Sequence, residues 1–374
     1  GLEMAAAFFA SAMVGAIPVP APPPSQSWQP ASWIRLLHIA SSAGAARVLS
    51  TTAFSRQVAG ASASGGDLGK LQNLEWISTD NMAGQLSALQ YSTSEILFIQ
   101  YTSGSTSAPR GVAVTHANAI HNGRLSLPKD PQIGVSWLPH FHDMGLLGYF
   151  VFCIVNGGTS HLFAPIDFLR RPALWFELIS RTGATMTTAP NSAYEYCLRE
   201  DKLPEAQLAG IDLSTLRSMV NCAEPVRAAT FERFYSRFSR FGLPRRALVA
   251  GYGLAEHTLC VTTGGFRTIE RLLPGTALQR FVSCGTPATD VDVKVVDPDT
   301  LRPLREREIG EIWTDSPSKA AGYWRMPVES RLHFEAHITE GDKEKSYLRT
   351  GDLGFFDKGE LFVCGRLRDM LIID

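Results

Sequence analysis

The residues Tyr101-Thr102-Ser103-Gly104-Ser105-Thr106-Ser107-Ala108-Pro109-Arg110-Gly111 put a run of hydroxyls, two glycines and one cation into a single short stretch. Glycine frees backbone N–H groups, Ser and Thr add hydroxyl donors, and arginine adds a charged fork. Together these are the parts that cradle polyphosphate oxygens, so the stretch reads as a nucleotide-phosphate grip. It is not a Walker A loop, because the Gly-x-x-x-x-Gly-Lys spacing is absent. Nor is there a Gly-x-Gly-x-x-Gly turn: Gly251-Tyr252-Gly253-Leu254-Ala255-Glu256 ends in glutamate. Standing alone, such a loop is an ordinary Ser/Gly turn.

A second chemistry-bearing cluster is Pro139-His140-Phe141-His142-Asp143-Met144-Gly145. His-x-His-Asp has zinc-ligand types, but no further His or Cys closes a tetrahedral set. The better reading makes Asp143 the cap of a helix running through Tyr149.

These residues need elements to position them. Short apolar runs at 96–101, 134–138, 159–163, 185–188, 216–221 and 247–250, each bounded by Gly, Pro or polar turns, predict strands. Amphipathic stretches between them predict helices, hence an α/β fold with a mostly parallel sheet. The clearest helix is 227–241, with Phe231, Phe234, Tyr235, Phe238 and Phe241 on a core face and Arg233, Arg237 and Arg240 on a solvated one. After about residue 265 the texture turns β-rich, with Val291-Asp292-Val293-Lys294-Val295 alternating strictly.

The chain has 374 residues, 45% apolar and 19% charged, and its 35 Lys+Arg nearly balance 36 Asp+Glu. That is the composition of an ordinary enzyme of two to three domains. A net charge of -1 argues against nucleic acid as a partner. The six cysteines stand singly and read as reduced core residues, which implies a cytoplasmic protein. No window has the ~20 apolar residues that span a bilayer. The Ala-rich stretch 4–17 has no basic residue ahead of it and reads as a buried helix leading to a strand. Residues 59–69 read as a surface loop. An uncapped start at Gly1 and an end inside the apolar run 370–373 suggest a piece of a longer protein.

Six motifs in order resemble the adenylate-forming enzyme superfamily: the 101–111 loop, Trp137 to Gly145, Asn221-Cys222-Ala223-Glu224-Pro225, Gly251 to Glu256, Arg349-Thr350-Gly351-Asp352-Leu353-Gly354 and Gly365-Arg366-Leu367-Arg368-Asp369. Pro-His-Phe-His-Asp-Met-Gly, Ala-Glu-Pro-Val-Arg and Gly-Glu-Leu-Phe-Val-Cys-Gly-Arg look most like fatty-acyl-AMP ligases. The resemblance implies the superfamily's large-domain fold: an AMP-binding core of two α/β subdomains over 1–265, a small β-barrel-like subdomain over 266–368 and a hinge from Asp369. It implies ATP and Mg²⁺ as cofactors, a fatty acid as substrate and an acyl carrier protein as acceptor. A coenzyme A ligase of the same superfamily and a non-catalytic acyl-adenylate-binding module are the rival readings.

Residue by residue, the resemblance assigns Thr102, Ser103, Gly104, Ser105, Thr106 and Arg110 to the β- and γ-phosphates, with Thr106 and Arg110 catalytic. Arg110 stands where the family usually has Lys, and Ser107 where it usually has Gly. Ala223, Glu224, Pro225, Gly251, Tyr252 and Gly253 are assigned to adenine, Asp352 to the ribose hydroxyls and Arg366 to its sugar-phosphate side. Glu256 matches the Mg²⁺-associated glutamate, and His142 lies near the reacting carboxylate. One face of the Leu146–Phe152 stretch suits an acyl tunnel. The long stretch 329–347 corresponds to the insertion that, in fatty-acyl-AMP ligases, restrains domain rotation and disfavours coenzyme A.

Overall fold

The computed structural model describes residues 2–24, 30–62, 74–81, 92, 94–102, 109–126, 130–272, 278–342 and 344–369. The expected phosphate-loop residues Ser103, Gly104, Ser105, Thr106 and Ser107, and the terminal run 370–373, lie outside them. The chain forms two compact units, Gly1–His116 with Ala321–Pro327, and Ala117–Ala320 with Val328–Asp374. The change of texture at about 265 falls inside the second.

In the first unit, helices Leu2–Met13, Pro30–Ala43 and Thr52–Ser62 accompany the parallel strand pair Arg47–Ser50 and Glu75–Ser78. Trp33 and Val58 are buried with Phe54 and Trp76 around them. Residues 4–13 of the stretch 4–17 are helical as expected, but only Phe8 and Ala12 are buried and no strand follows: Val14 makes one isolated bridge to Ser92, because Gly15 with positive φ and Pro18 break the run. Residues 59–62 end the helix Thr52–Ser62 rather than begin a loop. Strands Ile96–Tyr101 and Gly111–Thr115 are antiparallel neighbours, and Gly322–Tyr323 pairs with the second of them.

The second unit is built on a seven-stranded sheet. Its strands Thr159–Leu162, Ile133–Ser136, Met186–Ala189, Ser218–Asn221 and Leu248–Gly253 are mutually parallel, in that spatial order, within a residue or two of most expected runs. Cys260–Gly265 and Thr286–Pro287 extend the sheet antiparallel. Helix Ala228–Phe238 lays Phe234 and Phe238 against Phe176, with ring centroids of the Phe176–Phe238 pair 4.6 Å apart. These fully buried rings bring a large apolar contribution at little rotamer cost. The arginine face is only partly solvated. Arg237 is 13% exposed because it binds Glu200 and the carbonyls of Cys197 and Leu203, which need donors.

The remaining strands form the hairpin Thr268–Leu272/Leu278–Val282 and a four-stranded antiparallel sheet ordered Asp292–Val296, Gly310–Asp315, Leu348–Asp357, Glu360–Arg366. The sheet is open, which corrects the barrel-like expectation. Its outer strands do not pair with each other, and four strands are too few to close round a packed interior. Residues 329–347 are pinned to this sheet: Ile338 and Tyr347 are buried with Trp313, the Tyr347 hydroxyl donates to Asp292 (2.9 Å) and Lys345 pairs with the same carboxylate (2.8 Å).

Candidate active site

Ligands of open α/β sheets bind beyond the carboxyl ends of the parallel strands, where loops leave and backbone groups are free. In the second unit those ends carry the expected residues. His142 follows Ile133–Ser136, Cys222–Pro225 follows Ser218–Asn221, and Tyr252 closes Leu248–Gly253.

At the first end, Gly145 is required by close approach: a Cβ there would lie 2.2 Å from the Pro139 carbonyl oxygen. The turn it permits is followed by helix Asp143–Leu146, a π-helical turn Leu147–Val151 and helix Phe152–Asn156. His142 occupies the N-cap position, but the shorter side-chain bond to the Met144 N–H is that of Asp143 Oδ1 (2.7 Å), which also meets His142 Nδ1 (2.6 Å). Burial lowers the His142 pKa, but the hydrogen bond and charge of Asp143 outweigh it and raise it overall. His142 therefore donates to Asp143, which serves as the hub of the turn. His140, which packs edge-on against Phe150, is pushed down by burial to about 4.

At the second end, Ala223 adopts φ 67°, a left-handed conformation uncommon without glycine. Asn191 secures the turn: its Oδ1 accepts from Asn221 Nδ2 (3.1 Å) and from the Arg227 N–H (3.2 Å). The Glu224 carboxylate turns to Ser192, accepting from its N–H (2.8 Å) and hydroxyl (3.0 Å). Cys222 Sγ lies 3.1 Å from Met144 Sδ, joining this turn to the His142 turn.

At the third end, the Tyr252 hydroxyl donates to Asp352 Oδ2 (2.8 Å), and Arg366 Nε pairs with Asp352 Oδ1 (3.2 Å). Asp352 and Arg366 face each other across adjacent strands. Burial and the Asp352 charge hold the Tyr252 phenol well above its usual pKa, so it stays a donor. Gly253 is again a close approach, since a Cβ would lie 1.8 Å from the Leu259 carbonyl oxygen. Glu256 follows in a one-turn 3₁₀ helix, Ala255–His257, and its charge acts on the Tyr252 phenol.

The turn bearing Asp352 is shaped by a residue the sequence reading missed. Glu311, 2% exposed, accepts from Arg349 (2.8 Å), Trp313 Nε1 (2.9 Å) and the Gly351 N–H (3.1 Å). The signal was one acidic residue inside the apolar strand Gly310–Asp315.

In the first unit, Thr102 N–H donates to the Arg110 carbonyl (3.1 Å) and closes the base of the expected phosphate loop. The Arg110 guanidinium lies 5.1 Å above the Tyr323 ring. Tyr101 packs over Gly111, and its hydroxyl meets Ser42 Oγ at 2.7 Å.

As a metal site the arrangement offers no cage: among the described residues no group of three or more His, Cys, Asp or Glu converges. A lone carboxylate such as Glu256 fits Mg²⁺ only when phosphate oxygens and water supply the other ligands.

The AMP-binding enzyme model matches residues 1–324. The medium-chain-fatty-acid–[acyl-carrier-protein] ligase JamA of Moorena producens is 37% identical over all of this chain and 67% of its own length. The long-chain-fatty-acid–AMP ligase FadD26 of Mycobacterium marinum is 37% identical over 77% of this chain and 54% of its own. The crystal structure of a fatty acyl-adenylate ligase from L. pneumophila, in complex with acyl adenylate and pyrophosphate, superposes with a TM-score of 0.86 at 34% identity, over 100% of this chain and 67% of that one. This chain thus spans between about half and two thirds of such relatives. It belongs to the AMP-binding enzyme family, in its fatty-acyl-AMP ligase branch.

Proposed function

We propose that the full-length protein activates a medium- or long-chain fatty acid with ATP, giving acyl-AMP and pyrophosphate, and passes the acyl group to an acyl carrier protein. The observation that carries this is the Tyr252–Asp352–Arg366 cluster beyond the parallel strand ends, a set of donors and acceptors suited to a ribose. Asp352 accepts from the ribose hydroxyls, and Arg366 keeps its charge oriented. Tyr252 and the Ala223–Pro225 turn, with Gly251 and Gly253 leaving room, flank adenine. Thr102, Ser103, Gly104, Ser105, Thr106 and Arg110 bind the phosphates and, as charge moves onto the leaving pyrophosphate, stabilise it more than the ground state. His142 orients the carboxylate that attacks the α-phosphorus. Mg²⁺, held by Glu256 and phosphate oxygens, would neutralise charge on the triphosphate. Residues 329–347 act as the insertion that disfavours coenzyme A, and the protein works in the cytoplasm.

The test incubates the full-length protein with dodecanoate, ATP, Mg²⁺ and either coenzyme A or a phosphopantetheinylated carrier protein, with products read by mass spectrometry. Acyl-AMP that persists with coenzyme A but moves to the carrier is expected. Acyl-CoA would instead make it a coenzyme A ligase, and no adenylate would leave a binding module.

A further inference from the structure

Glu256 is followed by a backbone conformation that β-branched residues avoid. Thr258 has φ 68° and ψ -65°, the γ-turn with positive φ, closed by Leu259 N–H donating to the His257 carbonyl (2.8 Å). Such a turn is rare and strained, and it persists only where surrounding structure over-determines it.

The surroundings do so here. Thr258, fully buried, donates its hydroxyl to the Ser318 carbonyl (2.7 Å). His257, also fully buried, has Nδ1 3.1 Å from the Cys260 carbonyl, so Nδ1 carries the proton. Its Nε2 then accepts from Ser316 Oγ (2.8 Å), which itself accepts from the Ser318 N–H (3.0 Å). With a neutral imidazole, each donor in that chain is used once. Asn122 Nδ2 donates to the Cys260 carbonyl (2.9 Å), and Ala320 N–H donates to the carbonyl of Glu256 itself (3.0 Å). Two elements far apart in sequence, 316–320 and the helix His116–Ser126, thus grip the six residues around Glu256. Burying a histidine and straining a threonine is more than a plain turn demands. A glycine at 258 would adopt the conformation freely.

We infer that Thr258 and the His257–Ser316 pair are positioning residues that fix the direction of the Glu256 carboxylate toward the metal–triphosphate. This rests on the role given to Glu256 above.

The test compares wild type, Thr258→Gly, Ser316→Ala and Glu256→Ala in the full-length protein. Three readouts are taken: melting temperature, Mg²⁺·ATP affinity by calorimetry without fatty acid, and acid-dependent pyrophosphate exchange across a Mg²⁺ series. Thr258→Gly is expected to melt within about 2 °C of wild type, because relief of strain offsets the lost hydrogen bond. It should nonetheless bind Mg²⁺·ATP about 5-fold more weakly, exchange about 10-fold more slowly and need about 5-fold more Mg²⁺ for half-maximal rate. Ser316→Ala should shift affinity and Mg²⁺ demand the same way. Either change made on top of Glu256→Ala should add nothing, because both act through that carboxylate. Losses that follow melting temperature alone, or that add fully to Glu256→Ala, would overturn the inference. Should wild type make no adenylate from any fatty acid, the proposed function fails, and Mg²⁺·ATP affinity still judges the positioning: weakened in both variants it stands, unchanged it falls.

Discussion

The guanidinium of Arg110 rests on the face of Tyr323, 5.1 Å from the ring centroid, and the two residues are brought together by a strand that returns from residue 322 to pair with Gly111–Thr115. A planar guanidinium stacks parallel to an aromatic face and keeps its fork free at the edge, where a lysine ammonium makes only a point-charge contact. That gives a physical reason for arginine where the family usually has lysine. Tyr323→Leu should leave the fold intact but raise the KM for ATP about 5-fold, in line with ~1 kcal/mol for such a contact. Arg110→Lys should do the same, and the double variant should be no worse than the worse single one. Pyrophosphate-exchange kinetics decide it; fully additive losses would show that the ring does not act through Arg110.

Asp352 pairs with Tyr252 and Arg366, and in the proposed complex it also accepts from the nucleotide. Tyr252→Phe removes one hydrogen bond of about 1 kcal/mol and should raise the KM for ATP several-fold with kcat nearly unchanged. Asp352→Ala should cost more, about 100-fold in kcat/KM. Calorimetry with ATP and with 2′-deoxy-ATP separates the roles: the Asp352 variant should no longer distinguish them.

Glu311 is a buried carboxylate whose removal strands Arg349, Trp313 and the Gly351 N–H. Glu311→Ala should destabilise the protein by about 3 kcal/mol in urea unfolding and weaken ATP binding through Asp352, the residue after Gly351. Unchanged ATP affinity in the folded variant would mean that Asp352 is placed independently.

Acid should unfold the protein early. Burial lowers the His257 pKa to about 4 from 6.5, with His121 lowering it further and Asp315 opposing, and burial lowers His140 to about 4 likewise. Because the unfolded chain takes up these protons first, stability is full above about pH 6.5 and is lost as pH falls toward 4. For His257 alone the loss is about 3 kcal/mol. Urea unfolding at pH 7.5, 6 and 5 should show it, and His257→Gln should flatten the slope; an unchanged slope would assign the loss elsewhere.

Much of this was legible in the residues. The parallel strands are short apolar runs stopped by Gly, Pro or polar turns, and the glycines at 145 and 253 sit where backbone must pass within a Cβ of backbone. Other features were not. Nothing in Gly322–Tyr323 announces pairing with residue 112, because two residues carry no periodicity. The open four-stranded sheet and a barrel share one alternating pattern, so closure is decided by which edges meet. A single histidine after Glu256 carries no signal in the sequence, because its place is set by partners at Cys260 and Ser316.

The strand Gly322–Tyr323 also sets an order of events during biosynthesis. A ribosome delivers Gly111–Thr115 about two hundred residues before the strand that covers its edge. Until then that edge is an open template for pairing with another chain, and Arg110 has no platform. The nascent protein thus passes through a long interval in which its first unit is unfinished and aggregation-prone. Any truncation upstream of residue 321 makes that interval permanent.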